Sequence, residues 1–207
     1  MNKVAKPGTG SIRVAGLAPT VRATTSVPKS RRDLLKRYEK ASERIRTYFE
    51  HLPKLLADLP LDVSLSYVFS QVELAQNTTL YRGVVKLHRA NAVISRRVVD
   101  GHHFTREGFK HKFEVVFGKP IPPKICDKLN AAETIRDRVL HGKSTKEKQK
   151  REAIADVLDY AEWFNEFVYS IAKIHPFGDL RGFKGRAQSL DGSTTRWILK
   201  GMGFDVS

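Results

Sequence analysis

The sequence predicts an all-α fold: an antiparallel helical bundle with a flexible basic N-terminal arm and a short C-terminal extension. Three observations point that way. Apolar residues recur at steps of three and four through most of residues 30–174, the period of helices with one buried face. Ser, Thr, Pro and Gly fall at the ends of those runs, where helices start and stop. No stretch shows the sustained two-residue alternation of a strand. The predicted organisation is an arm over residues 1–29, a bundle over 30–174 and an extension over 175–207 packed on the bundle.

The arm carries Lys3, Lys6, Arg13, Arg22 and Lys29 with no acid, and is rich in Gly, Pro, Ser, Thr and Ala. It has no sustained apolar period, which marks a flexible segment. A transit peptide would share that charge, but no amphipathic helix is evident. Helical periodicity begins at Ser30, a capping residue followed three positions later by Asp33. Leu34, Leu35, Tyr38, Ala41, Ile45, Tyr48, Phe49 and Leu52 continue it, and Pro53 is expected to end it. Asp62 or Ser64 opens a second run through Leu65, Val68, Phe69, Val72, Ala75, Thr79, Gly83 and Leu87. It extends to Val98, either unbroken or bent near Gly83.

Thr105 starts a short helix with Phe109, Phe113 and Val116, closed by Gly118 and Pro120. Pro122 and Pro123 suit the first turn of the next helix. That helix runs to about His141, with Gly142 as its C-terminal cap. Ser144 with Glu147 reads as another capping box, opening a long helix to about Lys173. Its two apolar stripes are Ala153, Val157, Tyr160, Phe164, Phe167, Ile171 and Ile174, and Ile154, Leu158, Ala161, Val168 and Ala172. Together they exceed the apolar arc of an ordinary surface helix, so this helix is central, or packs on a second subunit, or both. Beyond Pro176 the chain is Gly-rich. Thr194 to Lys200 forms a short helix capped by Gly201, with Trp197, Ile198, Met202 and Phe204 expected to dock it.

The chain has 207 residues, 37 Lys+Arg, 22 Asp+Glu and a formal net charge of +15. One cysteine, Cys126, rules out an intrachain disulfide scaffold and fits a reducing, cytoplasmic setting. No apolar run approaches the ~18 residues of a membrane helix, so no membrane association is expected. The strong positive charge favours a polyanion partner, nucleic acid first. Much of it lies on the arm and on Lys173, Arg181, Lys184, Arg186, Arg196 and Lys200. It therefore reads as recruitment rather than chemistry.

Most catalytic motifs are absent. There is no phosphate-binding glycine loop and no Cys/His set with zinc spacing; no metal and no cofactor are expected. The pair His102-His103 reads as polar loop residues, and Cys126 lacks an evident histidine partner for nucleophilic work. One segment stands apart: Arg136-Asp137-Arg138-Val139-Leu140-His141, then Gly142-Lys143. Ile125, Leu129, Ala132 and Val139 mark the inward line of its helix, and position 136 on that line is an arginine. A guanidinium there must pair, snorkel or face a polar cleft; Glu73 is a candidate partner. His141 closes the helix, where the dipole favours a cation and Asp137 is within pairing reach. Positions five apart lie about 140° apart around an ideal helix. Arg136 and His141 therefore converge only if Gly142 lets the helix end unwind or if two copies face each other.

Arg136 to His141 resembles the R-x4-H signature of the HEPN superfamily, in which a polar residue, here Asp137, often follows the arginine. The placement is similar too: near the end of a penultimate bundle helix, before a long apolar final helix. The resemblance covers roughly residues 30–174. It implies a metal-independent endoribonuclease working as a homodimer with the motif at the interface, in toxin–antitoxin, defence or RNA-processing systems. It also implies RNA as substrate, and an antitoxin partner in the toxin branch. Other members are noncatalytic binding modules. Some HEPN toxins carry a tyrosine two residues after the motif histidine, a target of partner-catalysed modification; here that position is Lys143.

The residue types suit the chemistry. The RNA 2′-OH attacks its own phosphorus once a base removes its proton; an acid protonates the departing 5′ oxygen. A histidine titrates near neutrality and serves either role, and an arginine stabilises the added phosphorane charge. A two-fold dimer would supply two histidines to one cleft. Arg138 and Lys143 flank the motif and are candidate phosphate contacts. A helical scaffold built only for assembly is the third class of reading.

Overall fold

A computed structural model describes residues 26–179 and 188–206. The predicted arm up to residue 25 lies outside the described residues, as do Arg181, Lys184 and Arg186 of the extension. Among the described residues the fold is all-helical: α1 (Arg31–Glu39), α2 (Glu43–Tyr48), α3 (Leu52–Asp58), α4 (Leu61–His88), α5 (Ala92–Asp100), α6 (Arg106–Phe117), α7 (Pro123–Leu140), α8 (Glu147–Ala172) and α9 (Gly192–Gly201).

Local signals set most boundaries. The Ser30 hydroxyl accepts the Asp33 amide at 3.1 Å and starts α1. Pro53 does not end a helix, as the periodicity suggested. It sits in the first turn of α3, where a missing N–H costs nothing; the first predicted helix is two short ones, α1 and α2, and α3 is an additional helix beyond them. The break after α4 falls beyond Gly83: Arg89 adopts a left-handed conformation at φ 57°, and the Asn91 side chain accepts the Val93 and Ile94 amides to start α5. Gly83 instead permits a close helix crossing. A Cβ there would stand 2.6 Å from Val116 Cγ1 and 2.7 Å from the Phe117 ring.

The α8 start also differs from the predicted Ser144 box. The Gln149 side chain reaches back to the Lys146 amide at 3.0 Å, and α8 begins at Glu147. α8 is the centre of the bundle, packing on α7, α4, α1 and α2. Ile154, Val157, Leu158, Tyr160, Ala161, Phe164 and Val168 are all buried, each large apolar side chain adding ~1.5–3 kcal/mol. Its wide apolar arc is consumed within the chain, with Phe167 and Ile171 half-covered at the edges. At its far end the buried Asn165 grips Phe177 through two bonds, Nδ2 to the carbonyl at 3.2 Å and the amide to Oδ1 at 2.7 Å. α9 rests on α5 with Thr195 and Leu199 buried, and beyond it Phe204 is buried against His102 and Phe104. Trp197, predicted to help dock it, points outward and is 77% exposed.

Among the described residues no helix is long and apolar enough to cross a membrane.

Candidate active site

The motif lies at the C-terminal end of α7, beside α4. Ile125, Leu129 and Ala132 form the buried line of α7, and Arg136 extends it toward the surface. Its guanidinium rides over the Phe69 ring at 5.3 Å and reaches Glu73 Oε1 at 3.0 Å. Phe69 and Glu73 are one turn apart on α4, so a single face of that helix supplies both the aromatic bed and the counter-charge. The pairing anticipated for Arg136 is thus present, but Glu73 is a largely exposed carboxylate, not a core one. A second contact runs from Nη1 to Asp137 Oδ1 at 3.3 Å. Asp137 is therefore turned toward Arg136, and among the described residues it makes no ion pair with His141.

The helix end is closed, not unwound. Gly142 is left-handed at φ 64°. Its amide bonds the Val139 carbonyl at 3.0 Å, and the Lys143 amide bonds the Arg138 carbonyl at 2.8 Å. This pair of bonds is the Schellman arrangement that satisfies a helix's last carbonyls. α7 keeps its winding through Leu140, so Arg136 and His141 project in directions about 140° apart. His141 is exposed and its ring has no hydrogen bond or ion pair among the described residues. Arg138 is exposed and donates to the Ser144 carbonyl at 3.0 Å; Lys143 is exposed beside it. Leu140, next to His141, is 58% exposed.

Other candidates are accounted for structurally. His102 bonds the Val98 carbonyl through Nδ1 and accepts the Asp205 amide through Nε2, so both ring nitrogens are occupied. Burial pushes the Cys126 thiol above its ordinary range, which disfavours the reactive thiolate. Among the described residues no His, Cys, Asp and Glu group is arranged to hold a metal ion. The residues that sequence reasoning missed are Asn165 and Arg82. The second is buried in α4 and donates to the carbonyls of His175 at 2.6 Å and Gly178 at 2.9 Å. Each is a polar residue inside an apolar run, the one local sign of such a role. Comparison with known proteins finds no match to a family model, a curated protein or a solved structure.

Proposed function

We propose that the chain is a metal-independent endoribonuclease of HEPN type, cleaving RNA by 2′-OH attack and leaving a 2′,3′-cyclic phosphate. The observation that carries this reading is the contrast within the motif. Arg136 is braced by Phe69 and Glu73, as a preorganised cation should be. His141 is exposed at the closed helix end, available as a proton carrier. Because the two side chains diverge within one chain, the working site is composite: two α7 ends meet across a two-fold axis, each with Arg136, Asp137 and His141. Leu140 offers an exposed apolar contact at that junction. Arg138 and Lys143 hold flanking phosphates. Asp137 orients Arg136. A role in a toxin–antitoxin or defence system, with an antitoxin partner, follows the HEPN resemblance.

The test is cleavage of single-stranded and structured RNA in EDTA. His141→Ala is expected to reduce cleavage at least about a hundredfold. Undiminished cleavage by that variant refutes the site, and a requirement for a divalent ion refutes the mechanism. The divergence of Arg136 and His141 favours a second reading, a noncatalytic RNA-binding module. Four phosphate contacts on a single strand give a log–log salt slope near −3, or roughly fiftyfold weaker binding from about 50 to 200 mM salt. Such binding without cleavage selects the second reading.

A further inference from the structure

The corner formed by α5 and α9 lies apart from the motif and combines an open aromatic with three cations that make no ion pair among the described residues. α9 is held firmly there. The Asp191 carboxylate accepts the Ser193 and Thr194 amides to cap it. Thr195 Oγ1 accepts the Asn91 amide at 3.0 Å, and the Leu190 amide bonds the Arg89 carbonyl at 2.8 Å. A Cβ on Gly192 would stand 3.1 Å from Ile94, so the two helices meet closely where α9 begins.

With Thr195 and Leu199 inward, helical geometry at about 100° per residue fixes what faces out. Ser193, Arg196, Trp197 and Lys200 follow the i, i+3, i+4, i+7 pattern of one continuous face. On α5 the residues Val93 and Arg97 likewise face away from buried Ser95 and Val99. Between the helices lies an open cleft of about 400 Å³, lined in part by Arg97, Arg196, His102, His103 and one carboxylate, Asp205. Among the described residues Arg97, Arg196 and Lys200 make no ion pair with a carboxylate. Trp197 is far more exposed than the other tryptophan, Trp163, which is buried at 6%.

We infer that this corner is a docking platform for single-stranded RNA, with a base stacked on Trp197 and the backbone tracking Arg97, Arg196 and Lys200. Charge complementarity selects the occupant. A lone aromatic among unpaired cations matches the stacking-plus-phosphate pattern of sequence-tolerant strand binding. An interfacial lipid helix needs an apolar face, which the outer side of α9 lacks. A second copy meeting this corner across a two-fold axis would set the same basic patch against itself, and like charges oppose that contact. Duplex RNA keeps its bases stacked on each other and offers none to Trp197. The inference is independent of the nuclease reading, because its readout is binding.

The experiment measures anisotropy of a short labelled single-stranded RNA with His141→Ala protein, which separates binding from cleavage. Trp197→Ala is expected to weaken binding roughly 5- to 150-fold, the value of one stacked base, and Trp197→Phe to restore most of it. Arg97→Gln, Arg196→Gln and Lys200→Gln together are expected to flatten the log–log salt slope by about 2. In a Trp163→Phe background, RNA is expected to quench the remaining emission. Unchanged affinity in folded Trp197→Ala overturns the inference. So does an equal loss for blunt duplex RNA. Trp197-dependent binding to anionic phospholipid vesicles without RNA binding, or Trp197-dependent dimerisation, overturns it in favour of a lipid or a second copy.

Discussion

Replacing Arg136 with alanine separates a structural arginine from a catalytic one, because the two roles differ in size. As a structural group Arg136 contributes an ion pair with Glu73 at 3.0 Å, its side chain 26% exposed and its partner's 57%. Pairs this open are worth ~0.2–1 kcal/mol. The contact over Phe69 adds ~0.5–1 kcal/mol. Arg136→Ala should therefore cost about 1–2 kcal/mol, or a Tm loss of about 2–8 °C for a chain of this length. A cation that stabilises developing phosphorane charge is worth far more, ~10²–10³ in rate. The assay pairs thermal unfolding by circular dichroism with single-turnover RNA cleavage in EDTA. Glu73→Gln supplies the control: it removes the ion-pair part of the structural term, leaves Arg136 over Phe69 and is expected to retain cleavage within about tenfold. Two results refute the reasoning. One is Arg136→Ala that cleaves like the parent. The other is cleavage that falls in proportion to Tm across both variants, which would make Arg136 structural only.

Three further outcomes test the scaffold. Gly83→Ala gains up to ~1 kcal/mol of helix propensity but drives a methyl into Val116 and Phe117, an overpacking cost of ~1–3 kcal/mol; calorimetry should show a lower Tm, and a rise would mean α4 and α6 are not in close contact. Asn165→Ala leaves the buried amide and carbonyl of Phe177 without partners and should cost about 2–5 kcal/mol in urea unfolding. His175 is stacked on Tyr169 at 4.4 Å, and burial, with Arg44 and Arg82 nearby, holds its pKa below the ordinary 6.5. A depressed value gives stability that is complete above the ordinary pKa and lost as pH falls through the folded one. Tm should thus drop as pH falls below the ordinary histidine value of 6.5, and less so in His175→Phe; equal slopes would remove His175 as the cause.

How far the fold could be read from sequence follows from how local each signal is. Ser30, Thr105 and Gly118 act on their own turn of helix, and the structure keeps each of them. Pro53 was ambiguous because proline suits a helix start as well as it breaks an interior. Of the two readings open at Gly83, a bend there is not what the structure shows, because the reason for that glycine lies on another helix, in Val116 and Phe117, thirty-odd positions away. Asn91 was a readable cap that the apolar run masked. α9 went out of phase for a similar reason. Asp191 starts it at Gly192, which sends Thr195 and Leu199 inward and Trp197 out, whereas hydrophobicity alone favours burying the tryptophan. The same shift turned a supposed docking residue into the most exposed large aromatic of the described chain.

The motif shows the same division. An arginine on the inward line of α7 was visible from periodicity, and Glu73 was nameable as its partner, because both follow from helix faces. The direction of His141 was not, since it depends on whether Gly142 opens or closes the helix end. The two carbonyl bonds made by Gly142 and Lys143 close it. That closure has a kinetic consequence for the proposed chemistry. With Arg136 and His141 about 140° apart on a rigid helix, a lone chain cannot place both on one phosphate. Cleavage must then depend on a second α7, so specific activity should fall on dilution below the dimer dissociation constant and return in part when inactive His141→Ala and Arg136→Ala chains are mixed. Mixed dimers carry one intact pairing of arginine and histidine only if each chain supplies one of them. Recovery on mixing is therefore the outcome that requires the composite site, and constant specific activity on dilution to a sedimentation-verified monomer excludes it.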